Sequence, residues 1–121
     1  MYTIITEGSE NMPESFERGA LTEAVFYILL SLHEPMHGYA IMQNIDRMTA
    51  SRVVLGAGTL YGAINALVQK GWIAAVSGEQ DSRKKAYSIT DTGRAVFNIE
   101  LDRLSELIRN GKNAKQQENE K

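Results

Sequence analysis

The spacing of apolar residues changes at Trp72, and that change limits the folds open to this chain. The stretch WIAAVSGEQDSRKKAYSIT predicts two short strands, Ile73 to Ser77 and Ala86 to Thr90, around the polar, turn-forming tip GEQDSRKK. The pair reads as a hairpin. Upstream the spacing is helical. In LTEAVFYILLSLHEP, Leu21, Ala24, Val25, Ile28, Leu29 and Leu32 follow one helix face. Phe26, Tyr27 and Leu30 make that helix apolar nearly all round, so it belongs in the core or at an interface. Pro35 stops it.

MHGYAIMQNIDRMT predicts a second helix, with Ile41, Ile45 and Met48 on one face, Met42 beside it, and Gln43, Asp46 and Arg47 on the wetter side. ASRVVLGAG is a link rich in small residues. GTLYGAINALVQKGW predicts a third helix with the apolar stripe Leu60, Ile64, Leu67 and Val68, closed by Gly71. After the hairpin, a last helix is expected from Thr90 or Asp91 to about Asn110. Its seam is Phe97, Leu101, Leu104 and Ile108, a coiled-coil-like spacing. Gly111 is expected to close it, leaving KNAKQQENEK as a charged, frayed tail.

A chain of 121 residues suits one domain. The order helix, helix, helix, hairpin, helix is that of a mainly α, winged helix-turn-helix: three helices plus a β-hairpin wing, followed by a C-terminal dimerisation helix. The expected organisation is a flexible N-terminal arm over 1–12, a DNA-binding domain over 13–90 (Pro13 suits the first turn of a helix), the dimerisation helix over 91–110 and a disordered tail over 111–121.

Several classes are excluded. There is no cysteine, so no disulfide framework and no thiolate metal site. His33 and His37 are four apart, but Pro35 between them breaks the helical geometry of a metal pair and no carboxylate cluster follows. His37 reads instead as a turn or cap residue. No cofactor or metal is expected. No nucleophile–base pair or phosphate loop is present, so the chain does not read as an enzyme. The longest apolar run, Ala24 to Leu30, is far short of the roughly 18 residues a membrane span needs. No basic stretch leads into an apolar one at the N-terminus. A cytoplasmic location without membrane contact is therefore expected. The net charge of −2 rules out a chain coated in basic residues but allows a local basic patch.

The candidate patch is Arg83, Lys84 and Lys85 at the hairpin tip, read either as a solvated loop or as cations for phosphate or minor-groove contact. Neighbours in a strand point to opposite faces, so the three do not reach DNA equally. The third helix opens with Gly58, Thr59 and Tyr61, small or hydroxyl-bearing and uncharged. Gly56 suits its N-cap position. As a recognition helix it would bring bare backbone at Gly58 close to a duplex and offer hydroxyls and N–H groups to phosphates or base edges. Thr59 serves either DNA or a local backbone hydrogen bond. Tyr61 is either a half-buried core tyrosine or a DNA-facing hydroxyl. Asn65, one turn beyond, is either an exposed polar position or a bidentate partner for adenine. Tyr39 either packs against Pro35 or serves the DNA face. Trp72, the only tryptophan, is expected to plug the gap between recognition helix and wing.

Three ordered stretches resemble the PadR-like transcriptional regulators: HGYAI at 37–41, LGAGTLYGAINALVQKGWI at 55–73, and RKKAYSITDTG at 83–93. Gly62, where the family often has proline, Trp72, where it usually has leucine or isoleucine, Ala86 and Ile89 depart from its pattern. The short final helix resembles that of the small-C-terminus subgroup, in which one long helix makes the homodimer. The resemblance implies a sequence-specific dimeric repressor on a near-palindromic double-stranded DNA operator. It places the Tyr61 hydroxyl toward DNA and Tyr39 near the phosphate backbone. It also implies release by a small hydrophobic or aromatic effector, for which Phe16, Phe97, Leu101 and Leu104 are the candidate lining, or else plain dimer core. The alternatives are a winged-helix protein-protein adaptor without DNA binding, or a MarR- or ArsR-type regulator.

Overall fold

A computed structural model describes residues 20–76, 80–81 and 84–120. Helix α1 spans Glu23–Ser31, and Leu32 caps its C-terminal end. Thr22 caps its start: the hydroxyl accepts the Val25 N–H at 3.2 Å, and Glu23 sits in the first turn. Strand β1, Met36–His37, follows at once. Helices α2, Gly38–Met48, and α3, Ala57–Gln69, come next, then strands β2, Ile73–Ala75, and β3, Ala86–Ile89. Helix α4 spans Asp91–Glu120.

The element order is the expected winged helix, with two differences in the strands. The hairpin strands are shorter than the spacing predicted. Two residues after Pro35 also form a strand that no pattern announced. The sheet order is β1-β3-β2, antiparallel throughout. Met36 pairs with Tyr87 and His37 with Ala86, while Ile73, Ala74 and Ala75 pair with Ile89, Ser88 and Tyr87. A two-residue strand has no periodicity of its own; β1 exists because β3 lies beside it.

Leu21–Phe97 form one compact unit. Its core comprises Ile28, Leu29, Leu32, Ile41, Ile45, Leu60, Ile64 and Leu67, with Trp72, Ile73, Tyr87, Ile89, Val96 and Phe97. The predicted stripes are buried at Ile28, Leu29 and Leu32, at Ile41 and Ile45, and at Leu60, Ile64 and Leu67, whereas Met48 and Val68, expected on the same faces, are exposed. A fully buried leucine or isoleucine is worth about 1.5–3 kcal/mol. Phe26 stacks on Phe97 with ring centroids 4.9 Å apart, and His33 meets Phe97 edge-on at 4.8 Å. From Asn98 onward α4 belongs to a second unit.

The ends of α2 and α3 share one closing motif built from different residues. At α3, Trp72 N–H donates to the Leu67 carbonyl and Gly71 N–H to that of Val68, both at 3.0 Å, with Gly71 at φ 77°. This is the αL termination glycine favours. At α2 the same two bonds run from Ser51 to Asp46 at 2.8 Å and from Ala50 to Arg47 at 3.2 Å. Here Ala50 (φ 51°) and Ser51 (φ 63°) hold the left-handed conformation. The Ser51 hydroxyl donates to the Asp46 carboxylate, and the Thr49 hydroxyl accepts the Val53 N–H at 3.0 Å. These bonds hold the turn against the Cβ clash that an L-residue meets there. Ala50→Gly is therefore expected to raise stability by about 0.5–1 kcal/mol, seen as a higher urea midpoint at unchanged slope. An unchanged or lower midpoint would show that the alanine carries no strain.

Gly111 does not close α4, which continues as helix through residue 120. The frayed tail is thus corrected for residues 111–120. A helix-ending glycine acts by taking positive φ, and among the described glycines only Gly71 does. Within a run containing Lys112, Ala114, Lys115, Gln116 and Gln117, one glycine lowers helix propensity without ending the helix.

Candidate nucleic-acid interface

Motif residues of α2 and α3 meet at Gly38. A side chain there would place Cβ 2.4 Å from the Tyr61 hydroxyl and 2.7–2.8 Å from its ring. The Tyr61 phenol therefore lies across bare backbone at the start of α2. Its ring is half-buried, so the core reading holds for the ring. The β1–β3 register adds the wing. His37 pairs with Ala86, so the residue before Gly38 lies beside the residue after Lys85. Tyr39, 64% exposed, stands next to Gly38. The strand missed in the sequence is what joins the start of α2 to the root of the wing.

Helix ends divide into two kinds. α1 and α4 are capped by threonine and open on an acidic residue. For α4 the Gly93 N–H donates to the Thr90 hydroxyl at 3.0 Å, and Asp91 lies in the first turn. α2 and α3 have no side-chain cap bond and no acidic residue in the first turn; their N-cap positions are His37 and Gly56. Their leading N–H groups and positive dipole ends are left for an external acceptor. A phosphate oxygen is such an acceptor.

A second junction holds α3 in place. The Thr90 hydroxyl donates to the Gly71 carbonyl at 2.6 Å, and the Thr90 N–H donates to the Trp72 carbonyl at 3.0 Å. Gly93 packs so closely that an added Cβ would lie 2.1 Å from the Trp72 carbonyl oxygen. Trp72 is buried, filling the space expected of it, and the Lys70 ammonium sits 5.4 Å from its ring centroid. The SITDTG stretch thus locks the C-terminal end of α3 to the start of α4.

Of the remaining candidates, Gly58, Thr59 and Asn65 are exposed on α3. Lys84 is exposed and Lys85 half-buried, and both lie before the start of β3 at Ala86. Neither forms an ion pair among the described residues. Arg83 and Phe16 lie outside the described residues. Phe97 is 5% exposed and stacked in the first unit's core, so it faces no open space there. Leu101, 40% exposed, and half-buried Leu104 stand on the α4 segment of the second unit.

Sequence reasoning passed over three features. Gln69 is exposed one turn beyond Asn65, a spacing readable from the residues alone. Glu100 is buried and takes Arg103 through two bonds of 2.8 and 2.7 Å. Arg52, in the turn after α2, pairs with Glu23 at the start of α1. That pair is solvent-exposed and contributes little. The Arg52 hydrogen bond lowers the Glu23 pKa and Glu23 raises that of Arg52. Burial, with Tyr61 nearby, raises that of Tyr87. A raised phenol pKa makes the neutral form a folded-state preference, so stability is lost as pH climbs past the ordinary tyrosine value.

Among the described residues no group of His, Cys, Asp and Glu is placed to hold a metal, and no helix is long and apolar enough to cross a membrane.

Comparison with known proteins agrees with this geometry. Residues 26–99 match the family described as "Transcriptional regulator PadR-like family". An uncharacterised 37.1 kDa protein in transposon TN4556 of Streptomyces fradiae is 31% identical over 86 residues, 70% of this chain and 24% of that protein. The chain thus spans about a quarter of that relative's length. A transcriptional regulator from Clostridium thermocellum is similar in structure, with TM-score 0.60 and 27% identity over 76% of this chain and 90% of its own. A PadR family transcriptional regulator from Eggerthella lenta shares the fold at TM-score 0.61 and 24% identity, over 95% of both chains. A MarR family regulator from Neisseria meningitidis also shares it, at TM-score 0.55 and 23% identity, over 93% of this chain and 75% of its own.

Proposed function

The chain belongs to the PadR-like family of transcriptional regulators, a family of regulators rather than enzymes, and on that premise we propose that it is a cytoplasmic, homodimeric repressor that binds a near-palindromic operator. The observation that carries this reading is the Tyr61 phenol lying against bare backbone at Gly38, beside two helix starts left without caps or acids. The α3 N-terminus enters the major groove. Tyr39, Thr59, Tyr61 and the wing cations Arg83, Lys84 and Lys85 hold the phosphate backbone, with Gly58 and Asn65 toward the bases.

The reading domain is residues 13–90 and the dimer forms along α4. Ile99, Leu101, Leu107 and Ile108 are 40–57% exposed there, an apolar surface costly to leave in water. The dimer doubles the few base pairs one helix reads and sets half-sites about 34 Å apart. An effector, small and hydrophobic or aromatic, would bind between the subunits beside Leu101 and Leu104, with Phe16. Phe97 would take part only by leaving its stack on Phe26. Such a ligand acts only through unequal affinity for the DNA-competent and DNA-incompetent dimers.

The test is fluorescence anisotropy with DNA from upstream of the chain's own gene against shuffled DNA, over a salt series, alongside sedimentation. We expect a dimer at micromolar concentration and a preference for the upstream DNA of about a thousandfold or more. Equal, weak binding to both would favour a protein-contact adaptor instead. A monomer would remove the α4 dimer.

A further inference from the structure

Helix α3 has a second row of residues, set opposite its buried stripe. Leu60, Ile64 and Leu67 are buried. Gly58, Gly62, Asn65 and Gln69 are all exposed, and their spacing places them along one line of the far side. The row pairs two glycines in the N-terminal half with two carboxamides in the C-terminal half. No residue of AGTLYGAINALVQ is charged at neutral pH. The next cation along the chain, Lys70, sits over the Trp72 ring. Asn65 and Gln69 form no hydrogen bond or ion pair among the described residues, so both amides are free. At Gly58 and Gly62 an added Cβ would meet nothing within 4 Å, so the folded chain itself supplies no reason for glycine there.

We propose, resting on the DNA-binding reading above, that Asn65 and Gln69 determine base specificity and that each half-site is read as A·T pairs. The chemistry is a matter of donors and acceptors. Guanine is read in the major groove chiefly by arginine or lysine, and α3 has neither. A carboxamide both donates and accepts, which matches the N7 acceptor and N6 donor of adenine. Side chains this short reach a base only if the helix backbone comes close, and the bare positions 58 and 62 permit that approach. The same bare surface accommodates the thymine methyl group. Asn65 and Gln69 are about 6 Å apart along the helix axis. That is close to two base-pair rises of about 3.4 Å, so the two A·T pairs lie two steps apart.

The experiment is selection from a random duplex library by the full chain, its N65A variant and its Q69A variant, followed by titration of the winning sequence. Both positions are exposed on a helix, where alanine favours folding. The wild type is expected to select A·T at two positions two steps apart. Exchange of either pair for G·C should weaken binding about tenfold. 7-Deazaadenine, which lacks the N7 acceptor, should cost about as much at those positions. Each variant should lose preference at one position while keeping the wild-type salt slope. Selection of G·C at the contacted positions, or variants with unchanged preference, would overturn the assignment while leaving DNA binding intact. Failure to enrich any sequence would overturn both the DNA-binding reading and this one.

Discussion

Gly93→Ala is expected to destabilise the fold by about 3 kcal/mol, at the upper end for overpacking a buried site. The added Cβ would lie 2.1 Å from the Trp72 carbonyl oxygen, 2.8 Å from Ile89 Cγ1 and 3.0 Å from the Trp72 carbonyl carbon. A side-chain tip could swing away; the Trp72 carbonyl cannot. It accepts the Thr90 N–H at 3.0 Å and lies one residue beyond Gly71, whose φ of 77° closes α3. Any shift that relieved the clash would loosen the Thr90 bonds to Gly71 and Trp72 and tilt α3 against the wing. Gly111→Ala supplies the contrast, because nothing lies within 4 Å of its Cβ position. It is expected to gain about 0.5–1 kcal/mol, as an alanine inside a helix should. Urea unfolding of both variants measures the difference. If Gly93→Ala unfolds within about 1 kcal/mol of the parent, the close packing of α4 on the Trp72 carbonyl is wrong.

Lys84→Ala with Lys85→Ala is expected to weaken binding to every duplex, operator and shuffled alike, by up to about thirtyfold at 0.15 M salt. Each phosphate contact removed should reduce the magnitude of the salt slope by about 0.9, so two contacts give about 1.8. Exposed Lys84 should account for the larger share, since Lys85 is half-buried beside β3. The preference for operator over shuffled DNA should stay the same, because phosphate contacts position the protein without reading sequence. An unchanged slope would remove the wing from the DNA face. A lost preference with an unchanged slope would place these lysines at base edges instead.

Much of the fold was legible because helices and strands leave different periods in a sequence. The spacing of Leu60, Ile64 and Leu67 marks the buried side of α3, and Gly71 marks its end. The polar run GEQDSRKK over 78–85 marks the tip of the wing. The candidate site was legible as residue types in order: a hydroxyl-bearing helix start, a carboxamide one turn on, and cations at the hairpin tip. The surroundings of Phe97 were not legible in its spacing. A heptad-like seam reads the same whether its first member faces a second chain or Phe26 of its own, and only packing separates the two.

Sequence alone determined the order of the helices and the hairpin, most of the buried stripes and the helix stop at Gly71, since each follows from local spacing or from one residue's backbone freedom. Tertiary structure alone decided four other matters. β1 forms only because β3 pairs with it. Ala50 and Ser51 take positive φ because the turn and its hydrogen bonds outweigh their local preference. Gly38 and Gly93 are required by the Tyr61 ring and the Trp72 carbonyl, which lie 23 and 21 residues away in the chain. The helix after Thr90 runs through Gly111 because no backbone reversal is imposed there. Short-range periodicity carries no information about which atoms later occupy the space beside a backbone, so these outcomes arise only when distant segments pack together.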